Sequence, residues 1–330
     1  MSGGWVSYSG SDSPAGGEPP APVDGRPPEL ADLGKLARRG VRAVTRAARA
    51  DDRVTFAALL TAHLGAAAAA AEVAEETWPG YEHVNVQAGL DAWLAADDRH
   101  SEVVGVLGFR HHHFGLAELL TMAQQEGPFG LRPGNAATVN LACGPDGATR
   151  PCLRCAVVLV EEGSVRTALL VRGVEPESGL QHVSVQALST DPEAAGVALR
   201  RLRAAADEHN VFRRQVLSFG QEVFGHGQTL LQFHRRAELD SGQLVLDAGT
   251  MAEVERQVVD VARHKARLLA AGQHLKRGLL LYGPPGVGKT HTVRYLIGRL
   301  ADTTVVQLTG NALHLIASAP SRGSHRACEM

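Results

Sequence analysis

The sequence predicts two successive folds: an α+β domain with antiparallel hairpins and, at the C-terminus, the start of an α/β parallel sheet. Two observations carry this. Between Ala136 and Leu188, short β-prone runs alternate with turn signals. Beyond residue 244, a capped helix, an apolar run and a glycine-rich turn into a further helix follow one another. At 330 residues the chain exceeds one usual domain and has room for both.

Taken in order, residues 1–30 are rich in Gly, Ser and Pro with almost no apolar clustering, so they cannot bury enough surface to offset ordering entropy and are expected to be a disordered tail. Residues 31–53 predict a basic amphipathic helix. Lys35, Arg38, Arg39, Arg42, Arg46 and Arg49 recur at helical spacing opposite Leu33, Ala37, Val41, Val44 and Ala48. Such a stripe suits nucleic acid or anionic lipid, but a solvated face is the expectation.

Residues 54–220 form the α+β region. Phe56–Glu76, through its alanine run, and Val84–Ala96 predict helices. Thr138–Ala142, Cys155–Val160, Val165–Val171 and Val183–Leu188 predict strands, separated by Gly-Pro-Asp-Gly at 144–147 and Glu-Gly-Ser at 162–164. Asp191-Pro192 supplies an N-cap and a first-turn proline for a helix running to about Asn210. Three glycines in Gly220–Gly227 predict a hinge, within a linker spanning 221–243. A capping box at Thr250-Met251-Ala252-Glu253 then opens a helix to about Ala271. Leu279–Tyr282 reads as the first parallel strand, His291–Ala301 as helix and Thr304–Leu308 as the second strand.

A net charge of -2 gives no overall attraction to nucleic acid. Only Lys35, Lys265, Lys276 and Lys289 among the basic residues are lysine, a bias that reads as genome composition and discounts arginine clusters as binding signals. Four cysteines without a secretion signal predict cytosolic thiols and a cytoplasmic protein. The most apolar stretch, Val54–Ala71, is half alanine and holds His63, which is too weakly hydrophobic for a membrane span.

The chemistry concentrates in Gly283-Pro284-Pro285-Gly286-Val287-Gly288-Lys289-Thr290. The segment matches G-x-x-x-x-G-K-[ST], with an apolar run before it and helix-forming sequence after it. Glycines at 283, 286 and 288 let successive N–H groups face one anion, and the following helix adds its positive end. Lys289 is expected on the β- and γ-phosphates of a nucleotide and the Thr290 hydroxyl on Mg²⁺.

The wording Leu279-Leu280-Leu281-Tyr282-Gly283-Pro284-Pro285-Gly286-Val287-Gly288-Lys289-Thr290 resembles the AAA+ ATPases, in particular the branch of ring-forming unfoldases and remodelling ATPases. Leu246 followed by Asp247, Ala248 and Gly249 is similar to the adenine-contacting segment of that family, and Val305–Gly310 to its second strand and turn. The resemblance covers 244–317 and implies a P-loop NTPase fold, here a partial AAA+ sheet, with ATP and Mg²⁺ as cofactors and ATP hydrolysis as the family's reaction. It implies a protein substrate or adaptor bound through 54–220, and a homo-oligomeric ring in intact members. His291 begins the helix beside the nucleotide, where packing or capping is expected of it.

Family members carry, further beyond the loop lysine than Met330, a strand ending Asp-Glu that serves metal and water, then sensors, an arginine finger and a lid. Residues 318–330 have none of these and read as a non-native tail. They suggest a truncated or frameshifted product, with a natural short form as the alternative. No catalytic residue is assigned, turnover by this chain is expected to be negligible, and a ring of it is not expected. The competing reading is a nucleotide-responsive interaction protein that binds a partner without hydrolysis. Val157–Glu162 has the letters of the acidic strand but precedes the loop, so a hairpin strand is expected there.

Cys152 and Cys155, with Cys143 nearby, invite a zinc reading. No fourth ligand is evident and positions three apart on a strand face opposite ways, so packed thiols are expected. His111-His112-His113 is read as a solvated loop.

Overall fold

The computed structural model describes residues 55–65, 72–121, 130–175, 180–221 and 229–308. In chain order the elements are α1 (Phe56–Leu64), β1 (Ala74–Pro79), α2 (His83–Leu94), β2 (Arg99–Leu107), α3 (Leu116–Thr121), β3 (Arg132–Gly134), β4 (Ala137–Ala142), β5 (Thr149–Glu162), β6 (Val165–Arg172), β7 (His182–Ser189), α4 (Pro192–Glu208), β8 (Val216–Gln221) and β9 (Thr229–His234). Then come α5 (Ala248–Glu255), α6 (Lys265–Ala270), α7 (Lys289–Arg299) and β10 (Val305–Gln307).

β5 organises the first region. Its second half lies antiparallel to β6 on one side and β2 on the other, and its first half pairs with β4. The sheet continues from β6 through β7 to β1, and from β2 to β3, antiparallel throughout. The run Ala156–Val160 is apolar at every position because both faces of the sheet are covered. Val158 and Val160 join Leu169, Val171, Val183 and Val185 beneath Val86, Leu90 and Trp93 of α2 and Leu199 and Leu202 of α4. Val157 and Leu159 join Leu170 and Leu188 against Phe56 and Leu60 of α1 and Leu116 and Leu119 of α3. An antiparallel sheet between two helical layers is the result.

Local chemistry explains most element ends. Asp191 caps α4 by accepting from the Glu193 N–H at 2.9 Å, with Pro192 in the first turn. The hairpin between β4 and β5 turns at Asp146 and Gly147, both at positive φ, a conformation an Asp tolerates and a Gly adopts freely. The helix expected over Phe56–Glu76 does not run the whole of that span, whose alanine run at 66–71 lies outside the described residues. It stops at Gly65 (φ +84°), and Ala74–Glu76 belong to β1, the sheet edge on β7, where Trp78 is buried and Glu75 and Glu76 lie on alternate faces. Edge pairing there overrides alanine-type helix propensity.

The remaining elements depart further from expectation. Residues 221–243, expected as a linker, contain β9, which pairs antiparallel with β8. β10, expected beside the run at Leu279–Tyr282, instead pairs parallel with β8 in a three-stranded sheet ordered β10-β8-β9. Leu279–Tyr282 forms no strand: among the described residues nothing pairs with it, Leu281 turns inward, and Leu280 and Tyr282 are 88% and 95% exposed. An extended segment without neighbours has no ladder to join.

The tail 1–30, the basic helix 31–53, all but the first residues of the hinge Gly220–Gly227, and residues 309–330 lie outside the described residues. Among the described residues no helix is long and apolar enough to cross a membrane.

Candidate functional site

The loop 283–288 links the extended run to α7. Gly283, Gly286 and Gly288 have φ of +153°, +85° and +90°, all in the region L side chains rarely adopt. A Cβ on Gly286 or Gly288 would meet nothing within 4 Å, so backbone conformation rather than crowding calls for glycine there. Gly288 is the N-cap of α7; its carbonyl accepts from the Thr292 N–H at 2.8 Å and from the Thr292 hydroxyl at 3.1 Å. Lys289 is the first residue of the helix, and its Nζ folds back to donate to the carbonyls of Gly283 (2.9 Å) and Pro284 (2.8 Å). The ammonium is therefore held over the loop it follows. Thr290 is exposed and His291 half-buried beside it. The first N–H groups of α7 have no carbonyl of their own helix to bond, which leaves donors and the positive helix end at the loop. One ammonium, free backbone donors and one hydroxyl suit a phosphate chain with a hard cation.

Asp247, Ala248 and Gly249 open α5. The Asp247 carboxylate accepts from the Thr250 N–H at 2.8 Å and from its hydroxyl, and these bonds hold its pKa below the ordinary value. The cap is thus Asp247, three residues before the Thr250 box read in the sequence; Thr250 is inside the helix and supplies donors to the cap. After α5 the helical path continues through a π turn (Arg256–Asp260) and a short turn before α6. Val254 and Val259 pack on Tyr295 and Leu296 of α7, joined by Leu244, Leu246 and Leu281, and the Tyr295 hydroxyl donates to Glu255. One small core therefore brings together the helix beginning at Asp247–Gly249 and the helix beginning at Lys289.

The other candidates separate. Cys152 lies with Val84, Phe212 and Leu217, and Cys155 in the core under α1, so the two thiols occupy different cores. Burial pushes each up to about 12, away from the thiolate form a metal needs. Among the described residues no group of three or more His, Cys, Asp or Glu side chains is placed to hold a metal ion. Phe109–His111 is a single 3-10 turn followed by extended chain at His112 and an exposed His113. Val157–Glu162 is part of β5, interior to the antiparallel sheet, with Glu162 paired to Arg99 and Arg201.

Sequence reading missed Arg236. Its guanidinium donates to the carbonyls of Ile297 (2.6 Å), Arg214 (2.9 Å) and Thr303 (2.9 Å), tying the end of α7 to the turn before β8. Nothing local marks it; only the alternation of Thr229, Leu231 and Phe233 hinted that this stretch was a strand rather than a linker.

No family model matches the chain. It is 35% identical over 75 residues to the ATP-dependent zinc metalloprotease FtsH of Ureaplasma parvum serovar 3, which spans 22% of this chain and 10% of that protein. It is 36% identical over 86 residues to ATP-dependent zinc metalloprotease FtsH 3 of Symbiobacterium thermophilum, 24% of this chain and 14% of that one. The chain thus matches no more than about a seventh of the length of either relative. This partial likeness supports an AAA+ relationship at the level of family, for the matched stretch alone.

Proposed function

We propose that the chain binds ATP with Mg²⁺ at Gly283–Thr290, as a member of the AAA+ ATPases of the remodelling and unfolding branch. The single observation that carries this reading is the loop itself: three positive-φ glycines deliver Lys289 to the first position of α7 with its ammonium turned back over the loop. The partial likeness to two ATP-dependent proteins supports it. In this reading the N–H groups of Gly286, Val287, Gly288 and Lys289 cradle the phosphates, with Pro284 and Pro285 stiffening the turn. Lys289 would exchange its two carbonyl bonds for phosphate oxygens, and the Thr290 hydroxyl would hold Mg²⁺. Asp247, Ala248 and Gly249 border the base, and His291 packs at the start of α7. Mg²⁺ held there would supply charge neutralisation on the phosphates; the protein's own part is to position and to donate. The antiparallel domain serves as the site for a protein substrate or adaptor.

The test is a calorimetric titration of the full chain with MgATP, beside Lys289→Ala. Loss of measurable binding in the variant is expected, and equal binding by both proteins would overturn the assignment.

A second reading, nucleotide binding without turnover, draws on the unpaired run at Leu279–Tyr282. Hydrolysis needs an acidic group and an oriented water held at the γ-phosphate. Among the described residues no strand lies beside that run to bring one. Phosphate release that Lys289→Ala eliminates would favour the ATPase reading; binding without release favours this one.

A further inference from the structure

We infer that the glycine-rich loop and the antiparallel domain are thermodynamically coupled, and that Arg236 is the positioning residue of the coupling, through the small mixed sheet formed by β8, β9 and β10. The inference deepens the nucleotide reading and rests on it where the ligand is concerned.

The seam is built from both sides. β10 pairs parallel with β8 over Val305–Gln307 and Val216–Ser218, and the Val305 N–H donates to the Gln215 carbonyl at 2.9 Å. The Thr304 hydroxyl accepts from the Arg214 N–H (2.9 Å) and donates to the Phe212 carbonyl (3.2 Å). Arg236, just after β9, spends its guanidinium on three carbonyls, two of them at the end of α7 and beyond it and the third at Arg214, which sits at φ +61°. Gly298 of α7 admits the backbone here: a Cβ would lie 2.4 Å from the Ala237 carbonyl oxygen.

The same hairpin is anchored in the antiparallel domain. Leu217 and Phe212 pack with Val84 and Cys152, Tyr81 meets Phe219 edge-on at 5.4 Å, and the Val211 N–H donates to Asn85 of α2 at 2.8 Å. Arg235 pairs with Asp146 in the β4–β5 turn. One element therefore touches the domain on one side and the carbonyl end of α7 on the other, the helix whose amino end carries Lys289. A ligand that binds more tightly when α7 is docked must stabilise the docking by that difference in binding free energy, and docking must in turn raise its affinity.

In a Trp5→Phe background tryptophan reports on the domain side, because the two that remain, Trp78 and Trp93, are both buried in its core. In the full chain, saturating MgATP should raise the midpoint of the tryptophan-monitored thermal transition. Arg236→Ala should remove that shift while calorimetry still detects binding, and Arg236→Lys should not restore it, since an ammonium cannot span three carbonyls as the planar fork does. A shift of wild-type size in Arg236→Ala would overturn the coupling.

Hydrogen exchange without nucleotide tests the seam separately. Amides of 294–299 and 305–307 should exchange at least tenfold faster in Arg236→Ala, with β5–β7 unchanged, and in the same direction for the milder Thr304→Val. Unchanged exchange at both variants overturns the role of Arg236 whatever the nucleotide result, whereas absence of MgATP binding to wild type defeats the nucleotide reading alone.

Discussion

The antiparallel domain and the loop-bearing region are built to opposite plans. The first sandwiches a sheet between two helical layers, so Val157 and Val158, adjacent in sequence, are both fully buried in different cores. The second gathers one small cluster around Tyr295 and Leu296, leaving Leu280, Tyr282 and Val245 facing solvent. Buried apolar residues are concentrated in the antiparallel domain, while the candidate site lies where packing is thinnest. Loop conformation there depends on three glycine dihedrals and on Lys289's two carbonyl bonds rather than on a surrounding core.

The contrast is sharpest for leucine truncation. Leu170→Ala, at a fully buried position, should cost about 2–5 kcal/mol, whereas Leu280→Ala should change stability by less than about 0.5 kcal/mol. Chemical denaturation of the two variants checks this, and a large loss at Leu280 would mean that the run is covered in solution. A glycine change follows in size. Gly89 of α2 lies where a Cβ would come 2.4 Å from the Ala206 backbone nitrogen of α4, so Gly89→Ala should force the helices apart at about 1–3 kcal/mol. By the same measure Gly286→Ala meets no atom and is opposed by its φ of +85° alone. It should leave the unfolding midpoint of the domain almost unmoved while weakening MgATP binding. Removing the cap of α4, Asp191→Ala, should cost about 1 kcal/mol in the same denaturation assay.

The smallest effect concerns pH. His83 is buried, its Nε2 lying 2.9 Å from the Leu153 carbonyl, and burial lowers its pKa below the ordinary 6.5. The unfolded chain therefore takes up a proton first as pH falls. The neutral imidazole's contribution is complete above about pH 6.5 and declines below it, toward the lower folded value. The stability difference between wild type and His83→Asn should accordingly narrow between pH 7.5 and pH 5.5. A difference that is flat across that range would mean that His83 takes up its proton as readily in the fold as in the unfolded chain.

Strands β4 to β7 and helix α4 were legible because their signals are local: turn residues at 144–147 and 162–164, and a cap with a proline at 191–192. The glycine loop and its helix were legible for the same reason. Pairing across long separations was not. Nothing in Val305–Gln307 says that it will lie beside Val216–Ser218 rather than Leu279–Tyr282, because an apolar run carries no address. Nor does the run Ala156–Val160 announce two-sided burial as opposed to a simple hairpin; that depended on four helices elsewhere in the chain. Asp247 was singled out for a family resemblance, and its capping role emerged only once the helix was seen to begin three residues earlier.

The parallel pairing of β10 with β8 also sets an order of events during synthesis. β8 and β9 can close as a hairpin as soon as both have emerged, but the third strand follows about 70 residues later. At about 5–20 residues per second the ribosome needs roughly 4–14 s to cover that stretch. For that interval the edge of β8 that will receive β10 stands open on the nascent chain, a template for any passing strand. A chaperone that shields nascent edges would therefore act here with most effect between the emergence of His234 and that of Gln307.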